Sequence, residues 1–155
     1  NDIEGQLEMA IRILNENESI HIVVGESIIG DRLRLEGDRI RIIRDYPNSL
    51  SFNAFDFAIM AGGYNSYHEA IAFHLPTIFV PNDGTGMDDQ IARVKSGQDA
   101  DACLVVNGRD QDEFRVAIEH MIDPDNRQKI IAACSVIKME NGANHAAEHL
   151  LQLMM

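Results

Sequence analysis

The stretch Asp56 to Val94, DFAIMAGGYNSYHEAIAFHLPTIFVPNDGTGMDDQIARV, decides how this chain is read. An apolar run from Phe57 to Met60 leads into Gly62-Gly63, and a helix opens with Tyr64-Asn65-Ser66. A second apolar run spans Thr77 to Val80, followed by a polar loop and another helix. That order predicts strand, helix, strand, helix. Glycines let the backbone turn sharply and come close to a ligand, and the helix start beyond them leaves N–H groups pointing out with a partial positive charge. Such a place favours an anion, most often phosphate.

The pattern extends in both directions. Upstream, Ile3, Leu7, Ala10, Ile11 and Leu14 fall at helical spacing behind Asp2 as a cap. Ser19 to Val24 reads as a short buried strand closed by Gly25. Arg32 to Glu36 and Arg39 to Ile43 both alternate charged and apolar residues around Glu36-Gly37-Asp38, so a hairpin is the local reading. The reading preferred here keeps Arg39 to Ile43 alone as a parallel strand at a less buried place, because the rest of the chain alternates strands and helices. After Tyr46-Pro47, Asn48 or Ser49 caps a short helix through Phe55.

Downstream, Ala102 to Val106 is a fifth strand, and helices are expected at Gln111 to Ile122, Asn126 to Met139 and Ala143 to Met154, with breaks at Asp123-Pro124 and Asn141-Gly142. Five strands interleaved with helices predict an α/β fold, a doubly wound, Rossmann-like three-layer sandwich with a mostly parallel sheet. Ligands in such sheets bind beyond the carboxyl ends of the strands, which is where Gly62-Gly63 and Pro81-Asn82 fall.

With 155 residues the chain can bury one sizeable core, so a single domain over residues 1–155 is expected. Its 13 Lys and Arg stand against 25 Asp and Glu, a net charge of -12. That balance argues against a nucleic-acid surface, whose affinity rests on cations placed at phosphates. A helix N-terminus can still bind a small anion locally. Cys103 and Cys134 have neither metal spacing nor the density of a disulfide framework, and read as buried reduced thiols suited to the cytoplasm. No apolar run is long enough to span a bilayer, so membrane insertion is not expected, while peripheral association stays open. The chain starts at Asn1 and enters a helix almost at once, which suggests a piece of something longer.

Each motif has a structural reading beside the functional one. Ser66-Tyr67-His68-Glu69 fits a capping box, in which Ser66 and Glu69 would satisfy the helix's own backbone instead of a ligand. Asp88, Asp89, Gln90 and Arg93 open the next helix, where carboxylates suit the dipole and Asp89 could pair with Arg93. The same carboxylate and amide would also hydrogen-bond vicinal hydroxyls. His145 to His149 spells H-x-x-E-H, but no downstream third ligand follows, and a solvated helix face is the better account. His74 is expected at a helix end, and His68 one turn into the ligand-facing helix. No Ser/His/Asp arrangement, Walker loop or G-x-G-x-x-G after a strand is present.

The segment AGGYNSYHEAIAFHLPTIFVPN followed by DDQIARV resembles the C-terminal, nucleotide-sugar-binding half of GT-B glycosyltransferases, most closely the family 28 C-terminal domain. The resemblance is close from Ala58 to Val94 and extends from Ser19 to the C-terminus. It implies that Gly62, Gly63, Asn65 and Ser66 hold a diphosphate, that Glu69 binds the ribose, and that Asp89 and Gln90 bind the transferred sugar. Arg44, Asp45 and Tyr46 become candidates for holding the base. The implied donor is a UDP-sugar, with metal-independent, inverting transfer and no cofactor. The general base is expected on an N-terminal acceptor-binding domain that this chain does not contain, so the isolated chain should bind a donor and turn over poorly. The sequence also admits two alternatives: a nucleotide-sugar epimerase or hydrolase with the same half-fold, and a non-catalytic nucleotide-sugar-binding subunit. The first strand and glycine-rich loop with which the family's domain opens are also absent here.

Overall fold

The structure is a computed structural model and describes residues 3–26, 35–44, 46–82, 89–138 and 142–153. Helix α1 (Ile3–Asn15) buries Ala10, Ile11 and Leu14 of the predicted apolar stripe, and Ile13 beside them. It leads to β1 (Ile22–Gly25), which runs parallel to β2 (Ile40–Ile43) with Ile22 opposite Ile40. The preferred reading, a parallel strand at Arg39 to Ile43, agrees with this pairing; of the hairpin's other arm, Arg32 to Glu36, only residues 35 and 36 are described, and they lie outside any strand. β1 starts later than expected because Asn17 turns the chain first. Its side-chain oxygen accepts the Ser19 N–H at 3.0 Å, and the Arg39 guanidinium holds the carbonyls of Asn15, Asn17 and Ile20.

The predicted short helix is a 3-10 segment, Asn48–Ala54, which sets Phe52 edge-on against Phe73. Next come β3 (Ala58–Met60), α2 (Tyr64–Ala72), β4 (Thr77–Phe79), α3 (Gln90–Asp99) and β5 (Leu104–Val105), in parallel order β3-β4-β5. All three residues of β4 are buried, as befits a strand paired on both edges and covered on both faces. Its one polar side chain is satisfied locally, the Thr77 hydroxyl donating to the Leu75 carbonyl at 2.8 Å.

Three helices complete the chain: α4 (Gln111–Ile122), α5 (Pro124–Val136) and α6 (Ala143–Leu153). Asp123-Pro124 does more than break a helix. Asp123 ends α4 and caps α5, accepting the Asp125 N–H at 2.8 Å, with Pro124 at the first helical position. That is why α5 begins two residues before the expected start. Both α2 and α3 end in Schellman turns: Leu75 N–H reaches Ala70 and Ala102 N–H reaches Gly97, with His74 and Asp101 left-handed at φ 53° and 56°.

The fold is thus α/β with helices on both faces and only parallel pairings among the described strands. Among the described residues, hydrogen bonding joins the strands as two groups, β1-β2 and β3-β4-β5, where one sheet was expected. One hydrophobic core runs through both, from Ile22 and Val24 to Ile78, Phe79, Phe114 and Met121. Arg115 of α4 grips Glu16 at the end of α1 through two hydrogen bonds, and that contact holds the Glu16 carboxyl below its ordinary pKa.

Candidate functional site

The carboxyl end of β3 delivers Ala61-Gly62-Gly63 to the start of α2. Gly63 is the N-cap, with φ -62° and ψ 158°, and no side chain caps the helix. Ser66 is the third residue of α2, so the capping box does not form. A capping box needs Ser at the cap and Glu at the third helical position, and both are displaced by three. The first backbone bond of the helix is Tyr67 N–H to the Gly63 carbonyl at 3.0 Å. The N–H groups of Gly63, Tyr64, Asn65 and Ser66 therefore have no acceptor among the described residues. The Glu69 carboxylate, half-buried one turn on, has no hydrogen-bond or ion-pair partner among them either.

The two glycines have different neighbours. A β-carbon on Gly62 would lie 2.6 Å from Val94 Cγ1 and 3.4 Å from Gln90 Cβ, so α3 packs directly on the turn. A β-carbon on Gly63 would meet nothing within 4 Å among the described residues. Beside it, the exposed Tyr64 ring sits 4.2 Å from the His68 ring, with the Arg93 guanidinium 5.4 Å from the Tyr64 centroid.

The start of α3 lies against this turn. Asp89 is its N-cap and accepts the Ala92 N–H at 3.0 Å, so the structural role expected of a first-turn carboxylate is filled. Gln90 accepts the Asn82 N–H at 2.9 Å through its carboxamide oxygen, which leaves its NH2 end as a donor. Arg93 does not take up the expected bond to Asp89; its guanidinium donates to the Gly62 carbonyl at 3.0 Å. Asp88 lies outside the described residues. The structure thus brings Gly62, Gly63, Asn65, Ser66, Asp89 and Gln90 to neighbouring turns at the carboxyl end of one strand group.

The base-holding candidates are placed less specifically. Arg44 binds Glu26 at 2.5 Å across the ends of β2 and β1, Tyr46 is largely exposed, and Asp45 lies outside the described residues. Cys103 and Cys134 are buried and free, and loss of hydration pushes their thiols up to about 12 and about 11. No three His, Cys, Asp or Glu side chains converge as metal ligands among the described residues, which do not include the His145 side chain.

Two cavities lie at the carboxyl end of β5. One of about 570 Å³ is lined by Asn107 and Arg109 to Asp112, and one of about 220 Å³ by Gly5, Gln6, Met9, Gly108 and Arg109. Neither reaches the glycine turn. Sequence reading did not single these residues out, since Asn107-Gly108-Arg109 looks like any polar turn. It also missed the Arg93 contact, which joins residues 31 positions apart and has no local signature.

No family model and no curated protein matches the chain. Solved structures share its fold. The spinosyn rhamnosyltransferase SpnG, complexed with thymidine diphosphate, superposes on 86% of this chain with a TM-score of 0.67 at 18% identity. The glycosyltransferase VinC in complex with DTDP covers 86% with a TM-score of 0.61 at 17% identity. The glycosyltransferase SnogD from Streptomyces nogalater covers 98% with a TM-score of 0.57 at 13% identity. This chain spans 36%, 36% and 40% of those proteins, respectively. The chain therefore shares the Rossmann-like α/β fold found in one part of those structures. No helix among the described residues is long and apolar enough to cross a membrane.

Proposed function

We propose that this chain is the donor-binding half of a glycosyltransferase and binds a nucleotide-sugar through its diphosphate. The observation that carries the reading is the start of α2, where four N–H groups have no acceptor among the described residues, next to a Gly63 with room around it. An anion placed there gains both hydrogen bonds and the helix dipole. Gly62, Gly63, Asn65 and Ser66 take the diphosphate and Glu69 the ribose hydroxyls. The NH2 of Gln90, with the second oxygen of Asp89, takes the sugar. Arg44, Asp45 and Tyr46 stay as candidates for the base.

The sequence resemblance to the family 28 type favours a UDP-sugar, hexosyl transfer and inversion at the anomeric carbon, without a metal. The solved complexes with thymidine diphosphate keep dTDP-sugars beside UDP-sugars as donors to test. In transfer, the α2 donors would stabilise charge growing on the departing diphosphate. A general base and an acceptor would come from a further domain or a partner subunit, and the isolated chain would be inactive. Buried neutral thiols are compatible with a cytoplasmic setting.

Calorimetric titration of the chain with UDP, dTDP and GDP, in EDTA, tests the reading. Saturable binding of a pyrimidine nucleoside diphosphate without metal is expected. A folded chain that binds none of the three contradicts it.

A further inference from the structure

We infer that Arg93 is the positioning residue of the α2 anion site, and this rests on the diphosphate reading above. The argument starts from the peptide between Gly62 and Gly63. A trans peptide is planar, with its C=O and N–H pointing in opposite directions. The Arg93 guanidinium holds the Gly62 carbonyl at 3.0 Å. Fixing that carbonyl toward α3 fixes the Gly63 N–H away from α3, toward the open side of the turn. Without the bond, two glycines in sequence leave this plane free to rotate. A rotated plane would present a carbonyl oxygen, instead of a donor, to an incoming anion.

The surroundings of Arg93 suit it to this task. It is half-buried, its guanidinium lies over the Tyr64 ring at 5.4 Å, and Tyr64 in turn contacts His68 at 4.2 Å. Arg93 therefore touches both the residue before the Gly63 cap and the residue after it. It also sits one turn into the helix whose Gln90 holds the Asn82 N–H at 2.9 Å. The diphosphate turn and the sugar turn are thereby tied together by one side chain. Arginine is favoured over lysine here because its planar fork can donate to the carbonyl while stacking on a ring.

The test compares the chain with Arg93→Met and Arg93→Gln, titrated with UDP and with uridine, which lacks phosphate. Arg93→Met is expected to weaken UDP binding about tenfold or more, a binding free-energy change large enough to measure, with uridine binding unchanged. Arg93→Gln ends two bonds short of the nitrogen that holds the Gly62 carbonyl and is expected to lose UDP affinity as Arg93→Met does. Unchanged UDP affinity in Arg93→Met, or equal loss for UDP and uridine, overturns the inference. If Arg93→Met does not fold, Arg93→Gln decides. Loss of UDP affinity in Gln together with a shifted Gly63 amide resonance in the unliganded chain supports positioning; retained affinity, or loss with that resonance unmoved, overturns it. Failure of the unsubstituted chain to bind UDP or dTDP is a different outcome and removes the diphosphate reading itself.

Discussion

Gly62 and Gly63 are adjacent but face different surroundings, and substitution should separate them. Gly62→Ala drives a methyl into Val94, which is fully buried, and overpacking of that kind costs about 1–3 kcal/mol. A lowered denaturant midpoint would show it. Gly63→Ala meets open space in a backbone conformation any residue adopts, so its stability cost should stay near 0.5 kcal/mol, the scale of a weaker cap. If the diphosphate sits at this turn, the methyl takes up part of the room beside Gly63, so UDP affinity should fall although the fold is intact. Equal stability loss in both variants would contradict this division. Glu69→Ala gives a parallel check: with no internal partner to lose, stability should hold within about 0.5 kcal/mol while nucleotide affinity drops. The glycine pair was legible in the sequence, and so was the ambiguity at Ser66. Its resolution was not, because whether Ser66 caps α2 depends on where the turn after β3 ends, and Gly62 packing on Val94 sets that point.

Elements with their own start signals were read well. Gln111–Ile122 matches its prediction because Asp110 caps α4, accepting N–H groups from Asp112 and Glu113, and its apolar residues repeat at helical spacing. Elements whose ends depend on distant side chains were not. β1 starts where Arg39 releases the chain, and no window around Ser19 contains Arg39. The helix ends hold a prediction of their own: His74 closes α2 at φ 53°, a conformation that suits glycine better than histidine. His74→Gly should raise stability by about 0.5–1 kcal/mol, read as a higher thermal midpoint. A lower midpoint would mean that the His74 ring makes a contribution its exposure does not suggest.

Across the whole molecule, one core is shared by two parallel strand groups. The alternation of strands and helices foretold the parallel pairing, but no local pattern says whether parallel strands join as one sheet or two. Cys103 and Cys134 report on that core. A thiol raised in the folded state to about 12 or about 11 keeps its proton while the unfolded chain begins to release it at 9.0. The contribution is whole below pH 9.0 and is lost as pH rises through 11 to 12. Denaturant midpoints should therefore fall above pH 9.0, less so in Cys103→Ser,Cys134→Ser if that variant folds. In the native chain at pH 8 both thiols should resist a thiol reagent and react only on unfolding. Rapid native labelling of either would mean that the core opens locally.

The central claim is that α2 opens onto a nucleotide diphosphate, and backbone amide NMR during titration with UDP tests it most directly. The account predicts that the largest shifts fall on the amides of Gly63, Tyr64, Asn65 and Ser66, with smaller ones at Gln90. Shifts centred on Asn107 to Asp112, at the cavity beyond β5, with the α2 amides unmoved would contradict it.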